Sequence, residues 1–252
     1  MKVIYAVGLA LTCFVSLVNS NPESARRKYA VLSLIGDSLS VVAYSPVTGH
    51  IVDPNRHETI PLADANFDHT VLLAASQALQ IAEPATEAAL LLPSSPTAYL
   101  EQRKLLNDQR FYAPEWLDQA LKGVSATHLL LFTKLRAEAR LQIQGSKVGS
   151  GHLEGLGYYV DRYLPLRRSD TGERGVGFLA PYAYFQISLI ELSTSTILGR
   201  QLVTASTTFS AARNKEGLSP WDSLSASQKV TALDEMIKRE VANAVPLLVK
   251  SQ

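Results

Sequence analysis

Ser38 stands in the run Leu34-Ile35-Gly36-Asp37-Ser38-Leu39-Ser40-Val41-Val42. A serine hydroxyl on a tight turn after an apolar strand has the placement of an acyl-transfer nucleophile. That chemistry needs a base within hydrogen-bond reach, a carboxylate to orient the base, and donors for the oxyanion. The chain has five histidines, at 50, 57, 69, 128 and 152. Candidate bases are His57, preceded by Asp53, His69, beside Asp68, and His128; each also reads as a surface or helix-cap residue.

Gly36-Asp37-Ser38-Leu39 resembles the motif of the GDSL, or SGNH, esterases. The resemblance implies Ser38 as nucleophile, an Asp-x-x-His near the C-terminus, and a Gly-x-Asn-Asp stretch supplying an oxyanion donor. Neither stretch is present: no histidine follows His152, and Gly149 occupies the place of the Asp before it. In those enzymes a helix follows the serine. Here the seven residues between Ser38 and Pro46 are Leu-Ser-Val-Val-Ala-Tyr-Ser, a strand composition. Gly36-Asp37 therefore reads as a type II′ turn, with glycine first, joining strands 30–35 and 39–44 in a hairpin. An esterase using Ser38 is the alternative, and a helix after Ser38 would support it.

No metal or cofactor is expected. The histidines lack the i, i+4 pairing that puts two ligands on one helix face. The glycines at 149, 151, 155 and 157 have neither the G-x-G-x-x-G spacing nor the following Lys-Ser/Thr of a phosphate loop. The stretch 145–181 is still the most unusual in the chain, holding eight of the fourteen glycines. Tyr158, Tyr159, Asp161, Arg162, Tyr163, Arg167 and Arg168 lie within it. Tyrosine and arginine dominate interface energetics, so this cluster reads as a contact surface on a mobile or partner-ordered excursion. A hairpin whose tyrosines pack on the sheet is the competing view.

Residues 1–20 read as an export signal. Lys2 gives the positive start, residues 3–11 are apolar but too short to span a bilayer, and Val18-Asn19-Ser20 suits a signal peptidase. Thr12 before Cys13 departs from a lipobox, so lipid anchoring is not expected. Cleavage after Ser20 removes the chain's one cysteine, which leaves residues 21–252 as a single domain stabilised by its core alone. Beyond residue 20 there are 23 basic and 23 acidic residues, which argues against a nucleic-acid partner. No later apolar stretch is long enough for a transmembrane helix.

Along the chain, Pro46-Val47-Thr48-Gly49 is a turn signal before a short strand at 50–52. Asp68 suits the N-cap of a helix at 69–81. Residues 88–92 read as a buried strand, and Ser95-Pro96 opens a helix to about residue 107. Pro114 opens another that Gly123 ends. Residues 127–135 form the best central strand, and 139–144 alternate as a half-exposed one. Residues 182–192 and 197–209 form a long hairpin. Val230, Leu233, Ile237, Val241, Ala244 and Leu248 mark the buried face of a last helix. Hairpins mixed with helices predict an α/β (α+β) fold: one mixed sheet with helices packed on it.

"AYSPVTGHIV" and "FQISLIELSTSTILGRQLV" resemble the strand-turn-strand units of bacterial envelope accessory proteins. These include the TolB N-terminal domain, the curli-secretion lipoprotein and the activator lipoproteins of penicillin-binding proteins. Ser45 and Leu192 replace the Asp of that pattern, so no functional residue carries over. The resemblance implies a periplasmic or secreted, non-enzymatic accessory protein whose partner is another envelope protein.

Overall fold

The computed structural model describes residues 27–46, 53–84, 86–93, 95–143, 146–167, 172, 174–210 and 219–250. The expected export signal with Cys13, the turn and strand expected at 47–52, and Arg168 lie outside them. The elements run β1 (Tyr29–Leu34), β2 (Ser38–Ala43), β3 (Arg56–Pro61), α1 (Asn66–Ala82), β4 (Ala88–Leu91), α2 (Thr97–Glu101) and α3 (Glu115–Gly123). They continue with β5 (His128–Lys134), β6 (Arg136–Glu138), β7 (Leu141–Ile143), β8 (Ser146–Val148), β9 (His152–Arg167), β10 (Arg174–Glu191), β11 (Thr196–Ser206), β12 (Phe209–Ser210) and α4 (Ala226–Lys250). This is the mixed α+β layer architecture that the hairpins and helices predict.

β10 is long enough to carry two strands end to end on one edge. Glu191 to Phe185 pair with β5, and Tyr184 to Arg174 pair with β9. On its other edge lie β11 and the short β12. The next track outward repeats the arrangement, because β1 runs parallel to β5 and β2 parallel to β9. β4 and β3 complete the sheet outside β1 and β2 respectively. β1 and β2 are thus two halves of one track, interrupted at Ile35-Gly36-Asp37.

The hairpin expected at Gly36-Asp37 does not form. β1 is buried along its whole length, with Tyr29, Val31 and Ile35 facing α1 and α4 while Ala30, Leu32 and Leu34 face α3 and Leu105. An apolar run covered on both faces belongs to a central parallel strand rather than to a half-exposed hairpin arm. The interruption is held by Asp68, in the first turn of α1. Its Oδ1 accepts hydrogen bonds from Ser33 Oγ (2.5 Å), Ile35 N (3.1 Å) and Gly36 N (3.1 Å). Its Oδ2 accepts from Tyr99 Oη (2.6 Å). Asp68 is fully buried, and rather than capping its helix it satisfies the backbone donors that the strand break leaves unpaired. Gly36 is required for this approach, since a Cβ there would lie 2.6 Å from Asp68 Oδ2 and 2.9 Å from Asp68 N.

Other expectations shift at their ends. β4 is half-exposed, because it lies at the sheet edge outside β1. The helix opened by Pro96 ends at Glu101 and tightens into a 3₁₀ turn over Gln102–Lys104. There Gln102 Oε1 caps the last β5 donor, accepting from Lys134 N at 2.8 Å. α3, β5 and the β10–β11 hairpin form where expected. In α4 the predicted face is buried except Val230, which faces outward before α1 covers the helix.

Within the described part of the glycine-rich stretch, residues from His152 on are built into the sheet as β9 and the first half of β10. Its glycines serve close contact and bending. A Cβ on Gly157 would collide with the Ser40 carbonyl and Tyr182 Oη. Gly177, at φ +88°, forms the bulge between Val176 and Phe178. Around them Tyr159, Phe178, Tyr182 and Tyr184 form an aromatic layer beneath β6–β8. The tyrosine hydroxyls bind the backbone of that covering segment: Ser150 N donates to Tyr159 Oη (3.2 Å) and Arg140 N to Tyr184 Oη (3.1 Å).

Replacing Asp68 with alanine leaves three buried donors and the Tyr99 hydroxyl without their acceptor. Urea unfolding of Asp68→Ala is expected to show a loss of about 3–5 kcal/mol. Gly36→Val is expected to lower the Tm for the steric reason given above; an unchanged Tm in either variant would contradict the arrangement. Burial raises the Asp68 carboxyl above the usual range, against the lowering effect of its four donors. A group with a raised folded pKa contributes most below its unfolded value and loses that contribution as pH rises through the folded one.

Candidate functional site

The breaks in neighbouring tracks fall side by side. β1 pairs with β5 as far as Leu34–Thr133, and β2 pairs with β9 from Leu39–Leu156. Between β5 and β9 the chain leaves the track at Leu135, forms β6 and the β7–β8 hairpin, and rejoins it at His152. β6 pairs back on β9 through Arg136–Glu154 and Glu138–His152. A cleft of about 300 Å³ opens here, lined by Ser38, Ser40, His57, Thr59, Lys134, Arg136, His152, Glu154 and Leu156.

Ser38 and Ser40 share one face of β2, and His57 and Thr59 extend that face on β3, where Ser40 pairs with Thr59. Lys134 crosses the join between tracks. Its stem lies over Gly155 (φ +66°), where an added Cβ would lie 3.0 Å from Lys134 Cδ. Its ammonium reaches the other break, donating to Ser38 Oγ at 2.8 Å and pairing with Asp37 Oδ1 at 2.5 Å. On the far wall Asp53 holds two histidines: His57 Nε2 at 3.3 Å and His152 Nδ1 at 3.8 Å from its Oδ2. Asp53 Oδ2 also accepts from His152 N (3.0 Å), and Oδ1 accepts from Asn55 N (3.2 Å). Burial opposes its ionisation, but the backbone donors of His152 and Asn55, with His57, outweigh burial and hold the carboxyl below the usual range.

Ser38 therefore has a strand after it and an ammonium as its hydrogen-bond partner. Among the described residues neither His57 nor His152 bonds to it. His69 is bound to its own helix through Ala65 O (2.9 Å), and His128 packs at a tilt, 5.7 Å between ring centres, against Tyr29 at the opposite end of β5. Among the described residues there is no group of three or more His, Cys, Asp or Glu that could hold a metal. Sequence reasoning missed Lys134 and Arg136. Both look like ordinary polar strand residues, and only the end-to-end placement of β5 and β9 brings them to Ser38.

The Tyr/Arg cluster divides between core and surface. Tyr158 packs edge-on against Trp221 at 5.5 Å, and burial pushes its phenol up to about 12. Tyr159 stacks on Phe178 at 5.9 Å. Asp161 is buried and caps a local turn, accepting from Tyr163 N (2.7 Å) and Leu164 N (2.9 Å). Arg162 and Tyr163 are exposed, with Tyr163 edge-on to Tyr44 at 5.9 Å. Arg167 lies at the end of β9.

No protein-family model and no curated protein matches the chain. Among solved structures it is similar to a neuraminyllactose-binding hemagglutinin homolog from Helicobacter pylori, at 9% identity and TM-score 0.35, over 89% of this chain and 81% of that one. It is similar to a DUF330 protein from Xanthomonas campestris, at 9% identity and TM-score 0.36, over 92% and 90%. A PelC dodecamer subunit from Paraburkholderia phytofirmans gives 13% identity and TM-score 0.27, over 88% of each. Likeness at this level carries no argument about function, so the cleft rests on its own geometry.

Asp53→Asn tests the histidine wall. A depressed carboxyl contributes stability above its unfolded value, near pH 4, and loses it as pH falls through the folded value. The variant is expected to be less stable than the parent by about 1–2 kcal/mol at pH 7. Urea titrations should show that difference closing as the pH approaches 2. A pH-independent difference would contradict the ionic reading of Asp53.

Proposed function

We propose that the chain is an exported, non-enzymatic binding or accessory protein of the cell envelope, whose partner is another envelope protein. The observation that carries this reading is the state of Ser38. It starts a strand, its oxygen accepts from the Lys134 ammonium, and that ammonium is paired with Asp37. A general base must accept the serine proton, and a lysine that donates to the serine oxygen while ion-paired with Asp37 is not placed to do so. The export signal at residues 1–20 supports passage out of the cytoplasm. Among the described residues no helix is long and apolar enough to cross a membrane.

The partner surface we assign to the end of β2 and β9, where Tyr163 meets Tyr44 and the exposed Arg162 is its neighbour on β9; Arg167 and Arg168, next in the sequence, belong to the same proposal. Tyr158, Tyr159 and Asp161 support that surface from within the core.

The Ser38–Lys134 contact also favours one second reading, a hydrolase with a serine–lysine pair. Two measurements separate them. The purified chain is expected to leave p-nitrophenyl acetate unhydrolysed above background; hydrolysis abolished by Ser38→Ala would establish the enzyme. Pull-down from envelope extract is expected to yield a protein that the Arg162→Ser/Tyr163→Ser double variant, still folded, fails to retain. Equal retention by both would remove the surface assignment.

A further inference from the structure

The pairing of charged groups around the cleft is uneven. Three carboxylates approach it, and each already has a basic partner. Asp37 is paired with Lys134, Glu154 with Arg103 at 2.5 Å, and Asp53 faces His57 and His152. Arg136, on β6, lines the cleft and has no ion-pair or hydrogen-bond partner among the described residues. Its five N–H donors are therefore unengaged on the wall, because Glu154, its register partner on β9, is bonded to Arg103 instead.

The hydroxyl floor has the same bias toward donation. Ser38 Oγ accepts from Lys134, which leaves its own proton for a ligand. Ser40 and Thr59 have no side-chain hydrogen bond among the described residues, and both line the same cleft. Lys134 donates one N–H to Ser38 and sets its charge against Asp37. His57 and His152 each turn one ring nitrogen to Asp53 and keep the other. A site rich in donors, with one unmatched guanidinium, complements a group that carries negative charge on several oxygens.

We propose that this cleft binds a small oxyanion, a carboxylate or phosphate group, through a bidentate contact from Arg136 supported by the Ser38, Ser40 and Thr59 hydroxyls. Arginine's planar fork matches both groups, and its bond to an ionised acceptor is the strong, oriented kind. The volume, about 300 Å³, suits a compact ligand at the lower end of small-molecule sites. The site lies on the β2–β3–β6–β9 face and does not depend on the partner surface at Tyr163.

The test is calorimetric titration of the purified full chain with inorganic phosphate and, separately, with citrate, at constant ionic strength set by chloride. Saturable binding of either anion is expected, and the anion that binds distinguishes a phosphate from a carboxylate ligand. Arg136→Gln, which removes the charge from an exposed side chain, should weaken that binding about tenfold or more without changing the Tm. Thr59→Val should weaken it a few-fold, about the effect of one neutral hydrogen bond. Tyr163→Ser should leave it unchanged, so that loss of the partner surface and loss of the cleft read separately. Failure of both anions to saturate, or binding by Arg136→Gln equal to the parent, would overturn the assignment.

Discussion

The Asp68 carboxylate is the interaction on which this architecture depends. A central strand of the sheet stops after Leu34 and resumes at Ser38, and a break inside a covered sheet exposes backbone donors to an apolar interior. One side chain from the first turn of α1 meets two of those donors, the hydroxyl of Ser33 and the phenol of Tyr99. The carboxylate at that position also faces the positive end of the helix dipole. It therefore ties the strand break, α1 and α2 into one unit. Gly36 is the steric condition for it.

The cleft follows from that break. Because the tracks of β1/β2 and β5/β9 are interrupted at the same level, the sheet opens there instead of closing over. Lys134 spans the opening and ties its two sides together through Asp37 and Ser38. The excursion through β6–β8 then supplies Arg136 to the rim and covers the aromatic layer of β9 and β10. The tyrosine hydroxyls of that layer are satisfied by the excursion's own backbone, so cover and core fix each other.

Glycine in this chain marks contact more than freedom. The density between 145 and 181 looks like a mobile insertion when composition alone is considered, since glycine has the most backbone entropy to lose. In the folded chain Gly157 admits the Ser40 carbonyl, Gly155 admits the Lys134 stem, and Gly177 turns a bulge. Ordering is favoured because long strands on either side bury Tyr158, Tyr159, Phe178 and Tyr182 once the glycines allow approach.

Local pattern determined much of this protein. Apolar periodicity and stop signals were enough for α3, β5, α4 and the β10–β11 hairpin, because each expresses its partner face within its own residues. The strand composition after Ser38 was likewise legible, and β2 begins at Ser38 as that composition predicts. Tertiary structure decided the rest. Gly36-Asp37 satisfies a hairpin rule locally, but β1 is covered on both faces by helices and pairs along its edges with β4 and β5. The role of Asp68, the division of the tyrosine cluster into core and surface, and the meeting of Ser38 with Lys134 and Arg136 all depend on contacts between distant segments. Nothing in the local spacing of these residues encodes them, because two strands can share one edge of β10 only after its full length is in place.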